Sequence, residues 1–272
     1  MNSFIVLLVS VIIGTLIAPT PDTSTRTRVS DVMQVNEELV YEVSWTWFKL
    51  GKIRVQMLPA SANAPKGVYG SVAYTDSYDL PFVDFHAEST SEMDSSLFSV
   101  GASLFEMNSG SGQRQRYFFN PATRMYVTEH AVVNTPHAQS QQAPTFDTLK
   151  LPYDRFQDGT SILYYARAHV HDQRGIRIPT LVRGKAGYTN FYMPCEQTTE
   201  TIDAIPFPVK VLTLEGLAEF EGIFGLTGEF VGWFTDDTAA IPIKAKMKVV
   251  LGSITIELVE WKRAGWSPPK GE

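Results

Sequence analysis

The sequence predicts an all-β protein: antiparallel strands in a strongly curved sheet or open barrel, one short helix packed against it, with a β-sandwich as the alternative. Three observations lead there. From Ile243 to Val249, apolar residues alternate with Lys244, Lys246 and Lys248, and after Gly252-Ser253 the alternation resumes through Ile254, Ile256 and Leu258. Period two puts apolar groups on one face and charges on the other, so a turn at Gly252-Ser253 gathers lysines and glutamate outside a hairpin. Leu39, Tyr41, Val43, Trp45 and Trp47 alternate with Glu42, Ser44 and Thr46 in the same way. Between these runs lie many short strand-like segments, cut by turn residues, and one stretch with helical spacing.

The elements follow in order. Asn36 to Trp47 is the first strand, Lys49 to Gly51 a turn or bulge, and Lys52 to Leu58 the second strand. Ala60 to Gly67 is a polar hairpin loop, and Val68 to Tyr78 the third strand. Phe82 to Glu92, Ser96 to Met107, Gln113 to Asn120 and Met125 to Val133 are weaker strands, with turns at Asn108 to Gly112 and at Asn120-Pro121. Asn134 to Thr148, rich in Gln and Pro, reads as a loop. The helix opens at Asp158, Thr160 or Ser161, runs to Val170 with Ile162, Tyr165, Ala166 and His169 on one face, and is stopped by Gly175. Ile176 to Arg183, Gly187 to Met193, Glu196 to Ile202 and Val209 to Leu217 are strands leading to the closing hairpins.

The chain has 272 residues, 44% of them hydrophobic and 12% aromatic, enough to bury a substantial core as a single β domain over 35–262, followed by a tail over 263–272. A net charge of −6 argues against nucleic acid as a partner. Cys195 is the single cysteine, which excludes an internal disulfide and a cysteine-rich zinc site. Met1 to Ala18 holds a run of roughly 15 mostly apolar residues, signal-peptide length and short for a membrane span. Residues 1–22 are expected to be a cleaved export signal, or alternatively an uncleaved inner-membrane anchor, with 23–34 a linker. A lone thiol suits an oxidising compartment.

Four segments in order carry a family resemblance: Glu37-x-Leu39-x-Tyr41-x-Val43-x-Trp45 followed by Gly51; Asp158-x-x-Ser161-x-Leu163-Tyr164-Tyr165-x-Arg167; Trp233-Phe234-Thr235-Asp236-Asp237 with Ile241-Pro242-Ile243; and Gly252-Ser253-Ile254 leading to Glu257-Leu258. Together they resemble the exported bacterial family called domain of unknown function 3108, from about residue 35 to 261. The chain departs from that pattern at Asn36, where a glycine is usual, at Ala204-Ile-Pro206, and in the insert near residue 140. The resemblance implies an envelope protein with a curved sheet or open barrel, in the periplasm or cell envelope, and no established activity. A likeness to periplasmic lipoprotein carriers is one of fold alone.

Candidate chemistry is sparse. His169 and His171 could chelate a metal from a strand, but on a helix they diverge, and a helix C-terminus is the plainer explanation. Asp236-Asp237 reads as a carboxylate pair or, more simply, as a turn whose aspartates accept backbone N–H groups. Cys195 lacks a helix N-terminus to activate it and reads as an inert thiol. No G-x-S-x-G elbow or phosphate loop occurs. From Lys150 to Lys185 seven basic residues face three acidic ones, a net +4, which makes either a solvated face or a site for an anionic partner.

Three readings follow. The first is a non-enzymatic envelope protein that holds a lipid-like or glycolipid ligand on the concave side of its sheet, with Trp45, Trp47, Tyr78, Ile162, Tyr165, His169 and Trp233 as ligand-binding residues, no metal and no cofactor. Its helix would lie across the concavity. The second is a structural or assembly factor with no pocket, and the third a glycan-acting enzyme resting on Glu88, Glu92 and Asp94. An aromatic-lined cavity separates the first from the second.

Overall fold

Alternation of apolar and polar residues makes strands almost everywhere in this chain. The computed structural model describes residues 27–59, 67–79, 84–108, 110–140, 142–219, 228–249 and 252–272. The segment expected to be an export signal, the loop after residue 59 and part of the turn before residue 111 lie wholly or partly outside these. A short helix, α1 (Val29–Val32), leads into β1 (Glu38–Trp45), β2 (Phe48–Leu58), β3 (Tyr69–Ser77), β4 (Phe85–Met93), β5 (Ser99–Asn108), β6 (Ser111–Asn120), β7 (Met125–Val132) and β8 (Thr145–Lys150). Helix α2 (Ser161–His169) then precedes β9 (Arg174–Val182), β10 (Lys185–Met193), β11 (Gln197–Glu200), β12 (Val209–Ala218), β13 (Gly228–Thr235), β14 (Pro242–Lys248) and β15 (Ser253–Lys262).

The fifteen strands among the described residues belong to one antiparallel sheet, ordered β8-β7-β6-β5-β4-β3-β2-β1-β15-β14-β13-β12-β10-β9, with β11 also on β12. The meander is continuous through the two chain ends, because β1 pairs with β15 from Glu38–Lys262 to Trp45–Ile254. The sheet is strongly curved but not closed. Its β9 edge is covered by the segment before α2: Gln157 N donates to Pro179 O (2.8 Å) and Leu181 N to Gln157 O (2.8 Å), while Ser99 N on β5 donates to Phe156 O (3.0 Å). The larger core packs α2 against β1, β2, β9, β10 and β12 to β15, through residues such as Leu39, Tyr164, Ile178, Leu212, Ile243 and Leu258. A smaller one, including Leu104, Tyr117, Tyr126, Phe156 and Leu181, fills the β4 to β7 end.

Several spans differ from the sequence reading. Residues 27–34 are not a free linker: Val32 and Met33 are buried in the larger core. The tail is docked as well. Trp266 Nε1 donates to Asp237 Oδ2 (2.8 Å), Arg263 pairs with Glu37, and Gly271 N donates to Pro208 O (2.8 Å). The loop expected over Asn134 to Thr148 contains the start of β8, an exposed edge strand that pairs only with β7. Gly175 does not stop the helix, which ends at His169; it lies inside β9, opposite Tyr192. At the first hairpin the chain reverses at Thr46-Trp47, with Thr46 at φ 54. Trp47 therefore leaves the face that Tyr41 and Val43 share. Asn36 has φ 65, a conformation that asparagine tolerates where glycine is usual.

Candidate ligand cavity

Both ends of α2 are pinned by charge. At its start Asp158 Oδ1 accepts from Thr160 N and Ser161 N (2.8 Å each), and Asp158 Oδ2 accepts from Ser91 Oγ on β4 (2.5 Å). This satisfies N–H groups that a helix start leaves unpaired. Near its other end Arg167 is fully buried. Its Nη1 and Nη2 donate to the two carboxylate oxygens of Glu37 (2.6 and 2.9 Å), and Nη2 and Nε donate to Ala239 O (3.0 and 3.2 Å). Arg263 from the tail also donates to Glu37. Burial alone would raise the Glu37 carboxyl, but the Arg167 and Arg263 guanidiniums win and hold its pKa below the ordinary 4.5. The Asp158–Ser91 bond and the Arg167–Glu37 pair thus tie α2 to β4 and to the residue just before β1.

Between these ties one side of α2 is not filled. Ile162, Leu163 and Ala166 face a cavity of about 370 Å³. Val43, Ile53 and Ile256 form part of one wall, and Phe191, Leu214, Phe230 and Met247 part of the other. Side-chain geometry sets its width. A Cβ on Gly216 would overlap the Phe230 ring, so the missing side chain lets that ring lie flat on β12; the ring then meets Phe191 edge-on at 6.1 Å. Thr75, Thr160, Thr180 and Thr189 also line the cavity. Thr180 and Thr189 bond to each other (2.9 Å), and Thr160 bonds to Ser89 (3.2 Å). Tyr41 also lines the cavity, but its hydroxyl is sealed in the core with no hydrogen-bond partner, where Arg167, Glu37 and Tyr164 are its electrostatic neighbours. Lys244 and Lys246 border it on β14, and Lys244 is held by Glu200 (2.9 Å) and Glu257 (3.2 Å).

Of the seven residues proposed from sequence, Ile162 lines this cavity and the other six do not. Tyr165 is buried on another side of the helix, edge-on to Phe98 at 5.5 Å and 4.3 Å from the His169 ring. His169 is paired with Asp172 (2.7 Å). The helical stripe misleads because α2 is buried nearly all round, so spacing alone cannot tell a packed side from a hollow one. Trp233 projects from the face of β13 opposite Phe230 and Gly232, below Lys246. Tyr78 donates to Glu42 (3.1 Å). Trp45 and Trp47 stand at the first hairpin turn, partly and largely exposed.

The other candidates have structural partners. His171 meets Thr27 (2.9 Å) and Asp236 (3.3 Å), apart from His169, and no group of three or more His, Cys, Asp or Glu among the described residues is placed to hold a metal ion. Asp237 Oδ1 accepts from Ala239 N (3.0 Å) and Ala240 N (2.9 Å), the turn expected of it. The Cys195 thiol donates to His171 O (3.9 Å), and burial and then Asp236 raise its pKa. In the basic window, Arg155, Arg167, Arg174, Arg177 and Arg183 each meet a carboxylate, of Asp94, Glu37, Asp172, Glu219 and Glu106. Its excess charge is therefore largely answered by acids within the chain. Asp94 also caps a turn at Ser96 and Phe98, and Glu88 faces His137 at 3.8 Å, so two of the three acids considered for glycan chemistry have separate structural partners.

Sequence reasoning misses the pair of Glu37 and Arg167. Each stands in a separate motif of the sequence; only the fold brings them together, with Ala239 from between the two parts of the third.

A curved, unclosed β-barrel-like sheet around an internal helix defines the class. The chain belongs to the family described as "Protein of unknown function (DUF3108)", which it matches over residues 40–259. No curated protein matches it. Among solved structures it is similar to a "Beta-barrel-like Protein of Domain of Unknown Function DUF1849 from Brucella abortus", with 13% identity and a TM-score of 0.53, over 85% of this chain and 98% of the other. At that identity the likeness is one of fold.

Proposed function

We propose that this is a non-enzymatic, exported envelope protein that holds an apolar or amphiphilic, lipid-like ligand in the cavity beside α2. The observation that carries the reading is the hollow itself: an apolar wall beside a helix whose ends are tied to the surrounding fold. Protein interiors are otherwise close-packed, and apolar cavities take up apolar guests. A volume of about 370 Å³ sits near the lower end of ligand pockets, which suits one acyl chain better than two. Thr75, Thr160, Thr180 and Thr189 add a few polar side chains to a mainly apolar lining. Export rests on the apolar run at Met1 to Ala18.

Titration with a fluorescent single-chain fatty-acyl probe tests this. The wild type should bind it, and Ala166→Leu, which projects extra methyl groups into the cavity, should weaken binding at least tenfold while the melting temperature changes little. Absence of probe binding by the wild type would favour a structural or assembly role instead.

A further inference from the structure

The first hairpin turn carries aromatic groups that neither the core nor the cavity uses. Trp47 is 81% exposed, Phe48 54% and Trp45 37%. Their rings form one cluster, Phe48 lying 5.6 Å from Trp47 and 6.4 Å from Trp45. A scattered exposed aromatic is ordinary; Trp47 and Phe48, adjoining and largely exposed at the tip of a hairpin, form a surface that fits an apolar partner. The charge around them is also distinctive. Thr46 N donates to Ser253 O (3.1 Å), so this turn lies beside the start of β15. The sequence over 43–51 and 245–256 contains Lys49, Lys246 and Lys248 and no acid, in a chain of net charge −6. Two of the lysines reach acids from outside these spans, Lys49 to Glu42 (2.9 Å) and Lys248 to Glu229 (3.5 Å), but the lysines are exposed and such pairs are weak and exchangeable.

We infer that this tip docks on a lipid surface, seating Trp47 and Phe48 in the interfacial layer of an anionic bilayer while the lysines face the headgroups. Tryptophan favours that layer because its ring is apolar and its N–H polar, and an anionic surface attracts the lysine ammonium groups. The tip adjoins the cavity: Trp45 pairs with Ile254, Ile254 pairs with Met247, and both Ile254 and Met247 line the hollow. Docking would bring the cavity wall to the bilayer, but the inference goes beyond the ligand reading and does not rest on it.

The test is quenching of tryptophan fluorescence in the full chain by vesicles of equimolar brominated phosphatidylglycerol and phosphatidylcholine. Residues 1–26 contain no tryptophan, so attachment through that segment does not imitate the signal. The wild type should be quenched, Trp47→Phe should lose at least half of the quenching, and vesicles of brominated phosphatidylcholine alone should quench severalfold less. No quenching of the wild type, or equal quenching of Trp47→Phe, overturns the docking tip. Equal quenching by the zwitterionic vesicles overturns its preference for an anionic surface.

Discussion

The two flanks of helix α2 are opposites. On one, Tyr164, Tyr165 and Arg167 are buried, and the guanidinium, the Glu37 carboxylate and the Ala239 carbonyl satisfy one another. On the other, Ile162, Leu163 and Ala166 border the cavity. The difference teaches that this helix does not need close packing on every side to keep its place. Polar bonds of fixed geometry tie both its ends, so the fold can leave one flank hollow without the helix collapsing into it. A buried ion pair is weak evidence for stability as such, but removing one partner is costly.

The sharpest way to break the comparison is therefore Glu37→Gln. It leaves Arg167 and Arg263 without their buried counter-charge and should destabilise by about 3–5 kcal/mol in urea unfolding. A small loss would mean that packing, not charge, holds the helix. The same carboxylate sets a pH dependence. Its pKa is lowered in the folded state, so its contribution is fully present above about pH 4.5 and is lost as pH falls through the lower folded value. Glu37→Gln should flatten the fall in melting temperature below that pH.

Next in size is Tyr165→Ala, on the packed flank. Removing a ring buried against Phe98 and His169 should cost about 3 kcal/mol by thermal or urea melting, with acyl-probe affinity unchanged. Weaker probe binding with little loss of stability would place the cavity on the wrong flank. The smallest effect is expected of Lys246→Asp. Lys246 is exposed and lies 5.9 Å from the Trp233 ring centre, and its loss should change stability by less than about 1 kcal/mol. A larger loss would show that the cavity's border at β14 depends on this cation.

Much of the fold is legible in local sequence patterns. The alternation at Ile243 to Leu258 yields β14 and β15 and puts Lys244 and Glu257 together on the outer face, where they pair at 3.2 Å. Asp158 has the chemistry of a residue that opens a helix, and it accepts the N–H groups of Thr160 and Ser161. The strand at Leu39 to Val43 is equally plain, but extending its face to Trp47 fails because the turn begins at Thr46. The candidate site is legible only at Ile162. Periodicity reports which residues avoid water, and a residue against a cavity avoids water as well as one against a core.

By itself, then, the sequence determined the strands, most of their inward faces, the single long helix and the family, because these depend on short-range spacing and on ordered local motifs. Tertiary structure alone decided that Glu37, Arg167 and Ala239 would meet, which flank of α2 would stay hollow, and that Trp47 would face outward. Each of these depends on where a turn falls or on groups more than seventy residues apart in the chain. No local pattern encodes a distance that only the curvature of the sheet creates.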